Sequence, residues 1–117
     1  MSRVINGRND RVLVNKLERA ATFSQRLIGL MGRKTLAPGE GLLIRGSGNS
    51  IHTCFMRFPI DVAFVTKHGE VKHISTDLKP WRMVIAPVWT LTDCLELPAG
   101  TLKNNDTRIG DTLRVED

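Results

Sequence analysis

Apolar residues run along this chain in short, mostly alternating stretches separated by turn formers, which is the pattern of strands rather than helices. The clearest stretch is Ile60 to Thr66, rich in β-branched and aromatic residues. In a strand there, Ile60, Val62 and Phe64 share one face, and Asp61, Ala63 and Val65 share the other. Lys67-His68-Gly69-Glu70 predicts a two-residue turn at His68-Gly69, with Val71 to Asp77 returning antiparallel. That register sets Lys67 against Glu70, Phe64 against His73, and Asp61 against Thr76. Arg3-Val4-Ile5 and Arg11 to Asn15, split by Asn6-Gly7 and Asn9-Asp10, predict an N-terminal hairpin. Leu42-Leu43-Ile44, bounded by glycines, predicts a buried strand, and residues 51–56, 83–86, 93–97 and 112–115 predict further short ones.

One stretch has helical spacing. Thr22-Phe23-Ser24-Gln25 reads as a capping box, Phe23, Leu27, Leu30 and Met31 follow at helical intervals, and Gly32 is placed to end the turn. A helix is expected over residues 23–31. The expected fold is α+β and β-rich: one domain, residues 1–117, built as a small curved, mostly antiparallel sheet or β-barrel with one short N-terminal helix. Phe23, Leu27, Leu30, Leu43, Ile60, Val62, Phe64, Leu95 and Leu97 are the expected core.

Composition changes this picture little. An apolar fraction of 41% and a charged fraction of 25% are ordinary for a soluble globular chain. No stretch reaches the roughly 18 apolar residues of a membrane span, and the first residues do not read as a signal peptide. Two cysteines, Cys54 and Cys94, do not make a disulfide framework, and a cytoplasmic location is expected. The net charge of +5 is uneven. Residues 1–57 carry ten Lys/Arg against three Asp/Glu, and residues 58–117 seven against nine. A basic half raises electrostatic nucleic-acid binding. The scatter of the basic residues favours a solvated surface instead.

The candidate chemistry lies in Ile51-His52-Thr53-Cys54-Phe55-Met56-Arg57-Phe58-Pro59-Ile60-Asp61-Val62. In an extended strand, His52 and Cys54 point the same way, but the ligand set is incomplete and no metal or other cofactor is expected. Asp61, between Ile60 and Val62, has two readings. It belongs to a network fixing the Arg57–Pro59 turn, or it forms a polar pocket with His52 and Arg57 that holds a ligand. Glu96, between Leu95 and Leu97, raises the same question. Lys79 and Arg82 beside Pro80-Trp81 would give such a pocket a positive rim.

Several motifs follow one another in a familiar order: Gln25 to Met31, Gly39 to Leu43, Ile51-His52-Thr53, Phe55 to Phe64, Lys79 to Arg82, Leu95 to Gly100, and Gly110-Asp111. In these the chain resembles the family called domain of unknown function 192, from about Val14 to Val115. The resemblance implies a compact β-rich domain with a short helix near the start, and brings no activity, cofactor or substrate. Many relatives carry an export signal. The positions matching its polar pattern are Arg26, Glu40, His52, Arg57, Asp61, Lys79, Glu96 and Asp111.

The leading expectation is a binding or accessory domain for a small, anionic molecule, with His52, Arg57, Asp61, Lys79, Trp81 and Glu96 as ligand-binding residues. The alternative is a hydrolase or transferase in which His52 is the base and Asp61 orients it or acts as an acid. The oligomeric state is left open.

Overall fold

A computed structural model describes residues 2–20, 36–46, 48–54 and 56–117. These form ten strands: β1 Arg3–Asn6, β2 Val12–Val14, β3 Lys16–Ala20, β4 Glu40–Ile44, β5 Ser50–His52, β6 Ile60–Val65, β7 Val71–Leu78, β8 Met83–Ile85, β9 Asp93–Pro98 and β10 Leu113–Glu116. One single-turn helix, α1 Thr101–Asn104, lies between β9 and β10. The helix expected over 23–31 lies outside the described residues. Helix α1 was not foreseen, because a single turn holds too few residues to show apolar periodicity. Gly100 enters it at φ 95, and the Thr101 hydroxyl donates to the Pro98 carbonyl at 2.7 Å. Among the described residues no helix is long and apolar enough to cross a membrane.

The strands form three sheets, in the orders β10-β1-β2, β3-β4-β9-β6-β7 and β5-β8. All the pairings are antiparallel except β3 with β4. The β-rich, mostly antiparallel expectation holds, but among the described residues no barrel closes. The ends of the five-stranded sheet, β3 and β7, remain edges. Its faces are covered by the other two sheets rather than by closure on itself.

Phe64 does face His73. The rest of that hairpin departs from a plain ladder, because β7 carries two extra residues. Ile60 pairs with Leu78 but Val62 with Ser75, and Phe64 with His73 but Val65 with Val71. Asp61 therefore lies opposite a bulge at Thr76–Asp77, with Asp77 at φ 50, not simply opposite Thr76. The turn is also wider than two residues. The Thr66 amide donates to the Glu70 carbonyl, and Gly69, at φ 89, donates back to Thr66. Glu70 does not face Lys67; it bridges Lys72 at 2.5 Å.

The five-stranded sheet is the middle of three layers, which explains why β4, β6 and β9 are buried along almost their whole length. On one face, Leu43, Ala63, Val65, Leu95 and Leu97 pack with Val4, Leu13, Val14 and Leu113 of the three-stranded sheet and with Leu102 of α1. On the other, Leu42, Ile44, Ile60, Val62, Phe64 and Cys94 pack with Met56, Phe58 and Ala86, and with Ile51 and Val84 of the β5–β8 ribbon. The six expected core residues from Leu43 onward are all buried; Phe23, Leu27 and Leu30 lie outside the described residues.

The strand expected over 51–56 stops at His52. The Met56 amide turns back to the Thr53 carbonyl, and β5 pairs with β8 rather than with β6. Although only Arg57-Phe58-Pro59 joins residues 51–56 to 60–66, the chain passes through it into a different sheet.

Candidate functional site

The structure divides the residues that the sequence grouped. Asp61 is 0% exposed and points to the face packed on α1 and the three-stranded sheet. His52 belongs to the ribbon on the opposite face. It is exposed, and its Nδ1 accepts from the Cys54 amide at 3.3 Å. The central sheet stands between them, so this geometry does not form a His52–Asp61 acid/base pair. Glu96 is buried on β9, flanked by Leu42 and Val62, on the ribbon's side of the sheet. His52, Lys79 and Trp81 do come together, around Thr53. The Thr53 hydroxyl donates to the Lys79 carbonyl at 2.6 Å and accepts from the Arg82 amide at 2.9 Å, and the Thr53 carbonyl accepts from the Trp81 amide at 3.0 Å. Arg57 is exposed just beyond the Thr53–Met56 turn.

Asp61 holds backbone. One carboxylate oxygen accepts from the Asp77 amide at 2.9 Å; the other accepts from the Gly100 and Leu102 amides, each at 3.0 Å. The bulge in β7 and the left-handed Gly100 turn are thus both closed on one side chain. Three N–H donors satisfy a carboxylate that would be very costly to bury alone.

A second buried carboxylate ties the chain ends. Asp111 accepts from Arg8 Nε at 2.8 Å, Asn6 Nδ2 at 2.8 Å and the Arg108 amide at 2.9 Å. The bond from Arg8 lowers its pKa most, burial opposes, Asn6 and the Arg108 amide add to the lowering, and the carboxyl falls to about 2. Further pairs join Arg3 to Glu116 and Arg19 to Asp117. The excess positive charge of the first half is thereby partly matched by the acidic last residues.

Among the described residues, two clefts meet at the β6–β7 turn. A cleft of about 720 Å³ there is lined by Thr66, Lys67, His68 and the Glu70–Lys72 pair on one side and by Thr90, Leu91 and Asp93 on the other. A second, largely apolar cleft of about 440 Å³ opens between the two larger sheets, with Val4, Leu17, Leu43, Val65 and Leu95 in its wall. Thr66, Lys67, His68 and Asp93 line both. Sequence reading missed this place because Lys-His-Gly-Glu between two strands has ordinary turn composition. A third cavity, of about 340 Å³, adjoins Asp61 and α1.

Fold and site together define a small layered β domain whose buried carboxylates fasten its loops and whose clefts open beside one hairpin. Residues 4–115 match the model of DUF192, described as an uncharacterized ACR, and the chain belongs to this family. It is 33% identical to the UPF0127 protein PF1050 of Pyrococcus furiosus over 100 residues, covering 80% of this chain and 81% of that protein. A Sinorhizobium meliloti structure described as a candidate transcription regulator superposes with a TM-score of 0.81 at 28% identity, covering 97% of this chain and 91% of the other. A protein of unknown function from Novosphingobium aromaticivorans shares the fold, with a TM-score of 0.81 at 24% identity, over 97% of this chain and 82% of the other.

Proposed function

We propose that the domain is a cytoplasmic small-ligand-binding module whose ligand has an anionic head and an apolar body. The supporting observation is the rim shared by the two clefts. Lys67 and His68 stand between a mixed space lined by three threonines, Leu91 and the Glu70–Lys72 pair and a more apolar space walled by valines and leucines. Each cleft is of a size that takes a small organic molecule. The anionic preference expected from sequence is kept, but its cation is Lys67, beside His68, rather than Arg57 and Lys79; Lys72 is already paired with Glu70. The anionic amphiphile 1-anilinonaphthalene-8-sulfonate is a suitable probe. It is expected to brighten on binding, and Lys67→Gln combined with His68→Gln is expected to weaken it about tenfold. Equal affinity in that variant sinks the proposal. Fractionation of cells expressing the chain checks the location.

The description of the Sinorhizobium meliloti relative supports a second reading, binding to nucleic acid. Oligonucleotide affinity that falls steeply with salt would favour it. The pairing of Arg3, Arg8 and Arg19 with acidic partners weighs against it.

A further inference from the structure

The β5–β8 ribbon turns an apolar face to solvent. Ile51 and Val84 pack inward on the core, so the alternating residues Met83 and Ile85 point outward, each 70% exposed. Trp81 precedes them at 58% exposure, Leu91 follows at 81%, and Trp89 is fully exposed. Five large apolar side chains thus crowd the outside of residues 81–91. Their exposure is built in. Asn49 fastens the loop that carries Trp89 and Leu91, accepting from the amides of Ala86 (2.7 Å) and Thr92 (3.0 Å) and donating to the Val88 carbonyl (3.4 Å). Thr53 fastens the loop that carries Trp81 in the same manner.

The charges within this ridge are positive. Residues 41–60 and 78–92, which supply the ribbon and its loops, contain Arg45, Arg57, Lys79 and Arg82 and no Asp or Glu. Two carboxylates flank the second of these segments: Asp93, just after Thr92, accepts from the Gly46 amide at 2.8 Å, and Asp77 bridges Lys79 at 2.8 Å with both groups exposed, a weak pairing. Tryptophans and long aliphatic side chains between cations suit a bilayer interface: the apolar groups enter the acyl boundary while Lys and Arg reach the headgroups. A second copy of the chain fits less well, because a symmetric contact would set four cations against their own images with only the flanking Asp77 and Asp93 to offset them.

We propose that this ridge docks the domain on an anionic lipid surface, lying on the bilayer rather than crossing it. Both tryptophans of the chain lie on the ridge, so intrinsic fluorescence reports on it alone. The test mixes the full chain with vesicles of phosphatidylcholine, or of phosphatidylcholine with phosphatidylglycerol, and follows Trp emission and cosedimentation. A blue shift and cosedimentation are expected with the anionic vesicles, weakened by added salt. Lys79→Gln with Arg82→Gln is expected to lower partitioning about thirtyfold. Trp89→Ser is expected to lower it roughly tenfold or more. Ile109→Ser, at a residue also 58% exposed but before β10, should leave it unchanged. Unchanged circular dichroism spectra would show that the ridge variants still fold. The proposal is overturned by absence of binding to anionic vesicles, by equal loss in the Ile109 variant, or by a blue shift that needs only higher protein concentration or an oligonucleotide. The proposed ligand cleft is tested by Lys67 and His68, so the two ideas fail separately.

Discussion

Replacing Asp61 by alanine tests whether this carboxylate is framework. The substitution leaves the amides of Asp77, Gly100 and Leu102 without their acceptor. A hydrogen bond to a charged group contributes about 1.5–3 kcal/mol, which puts the three bonds at roughly 4–9 kcal/mol before relaxation. Relaxation is available here. The cavity of about 340 Å³ beside Asp61, Gly100 and Leu102 can admit water to some of the orphaned donors. The expected net loss is about 3–5 kcal/mol, against roughly 5–15 kcal/mol for a whole domain. Asp61→Asn is milder. Its carbonyl oxygen can keep the Gly100 and Leu102 amides, but its amide group then meets the Asp77 N–H, and about 2 kcal/mol is expected to go. Urea unfolding at neutral pH measures both variants. Hydrogen exchange adds a local readout: Asp77, Gly100 and Leu102 should lose protection before the amides of β4 and β9 do. An Asp61→Ala chain within about 1 kcal/mol of the parent would refute the reasoning.

Other perturbations follow from the same networks. The Asp111 carboxyl stands at about 2 in the fold against an ordinary 3.8, so the unfolded chain takes up its proton first. Its contribution is complete above the ordinary value and is lost as pH falls through the folded one. Because Arg8 is partly exposed, solvent screening reduces it to about 1–2 kcal/mol. Urea midpoints taken between about pH 5 and pH 2 should show the decline, and Asp111→Asn should flatten that part of the profile. Gly69→Ala places a Cβ 2.1 Å from the Leu113 carbonyl oxygen at φ 89 and should destabilise by about 2–5 kcal/mol in thermal unfolding. Thr53→Val removes the bonds to the Lys79 carbonyl and Arg82 amide; a loss of about 2 kcal/mol and lower Trp emission anisotropy are expected.

Local pattern carried most of the strands. The β6–β7 hairpin, the N-terminal hairpin and the short runs at β4, β8, β9 and β10 are marked by alternation and by Gly, Pro or Asn turns, signals that act over a few residues. What could not be read is which sheet each strand joins. Ile51-His52 and Ile60-Asp61 look like neighbours because Arg57-Phe58-Pro59 is short, yet the Thr53–Met56 turn sends them to different layers. The candidate site divided for the same reason. Alternation correctly set Asp61 opposite Ile60 and Val62, but only the layering says what covers that face: α1 and the three-stranded sheet, away from His52. The bulge at Thr76–Asp77 was equally hidden, because it exists to deliver a backbone amide to a carboxylate on another strand.

The polar positions that match the family pattern therefore need not mark a reaction centre. Glu40 accepts from the Ala37 amide at 2.8 Å, Asp61 from three amides, and Asp111 from the Arg108 amide. Each closes a turn next to a strand of a sheet, a task that a neutral side chain with one acceptor oxygen performs only in part. His52, Arg57 and Lys79 are different, being exposed on the ribbon or its flanks. A rigid middle sheet, with loops fastened by buried carboxylates, by Thr53 and by Asn49, can hold tryptophans and cations in solvent at fixed positions. Substitutions among the fastening residues should therefore act through stability, and substitutions among the exposed ones through binding with stability unchanged. Measuring both quantities on the Asp61→Asn and Lys79→Gln/Arg82→Gln chains separates the two classes. Loss of vesicle binding in a fully folded Asp61→Asn chain would show that the division is wrong.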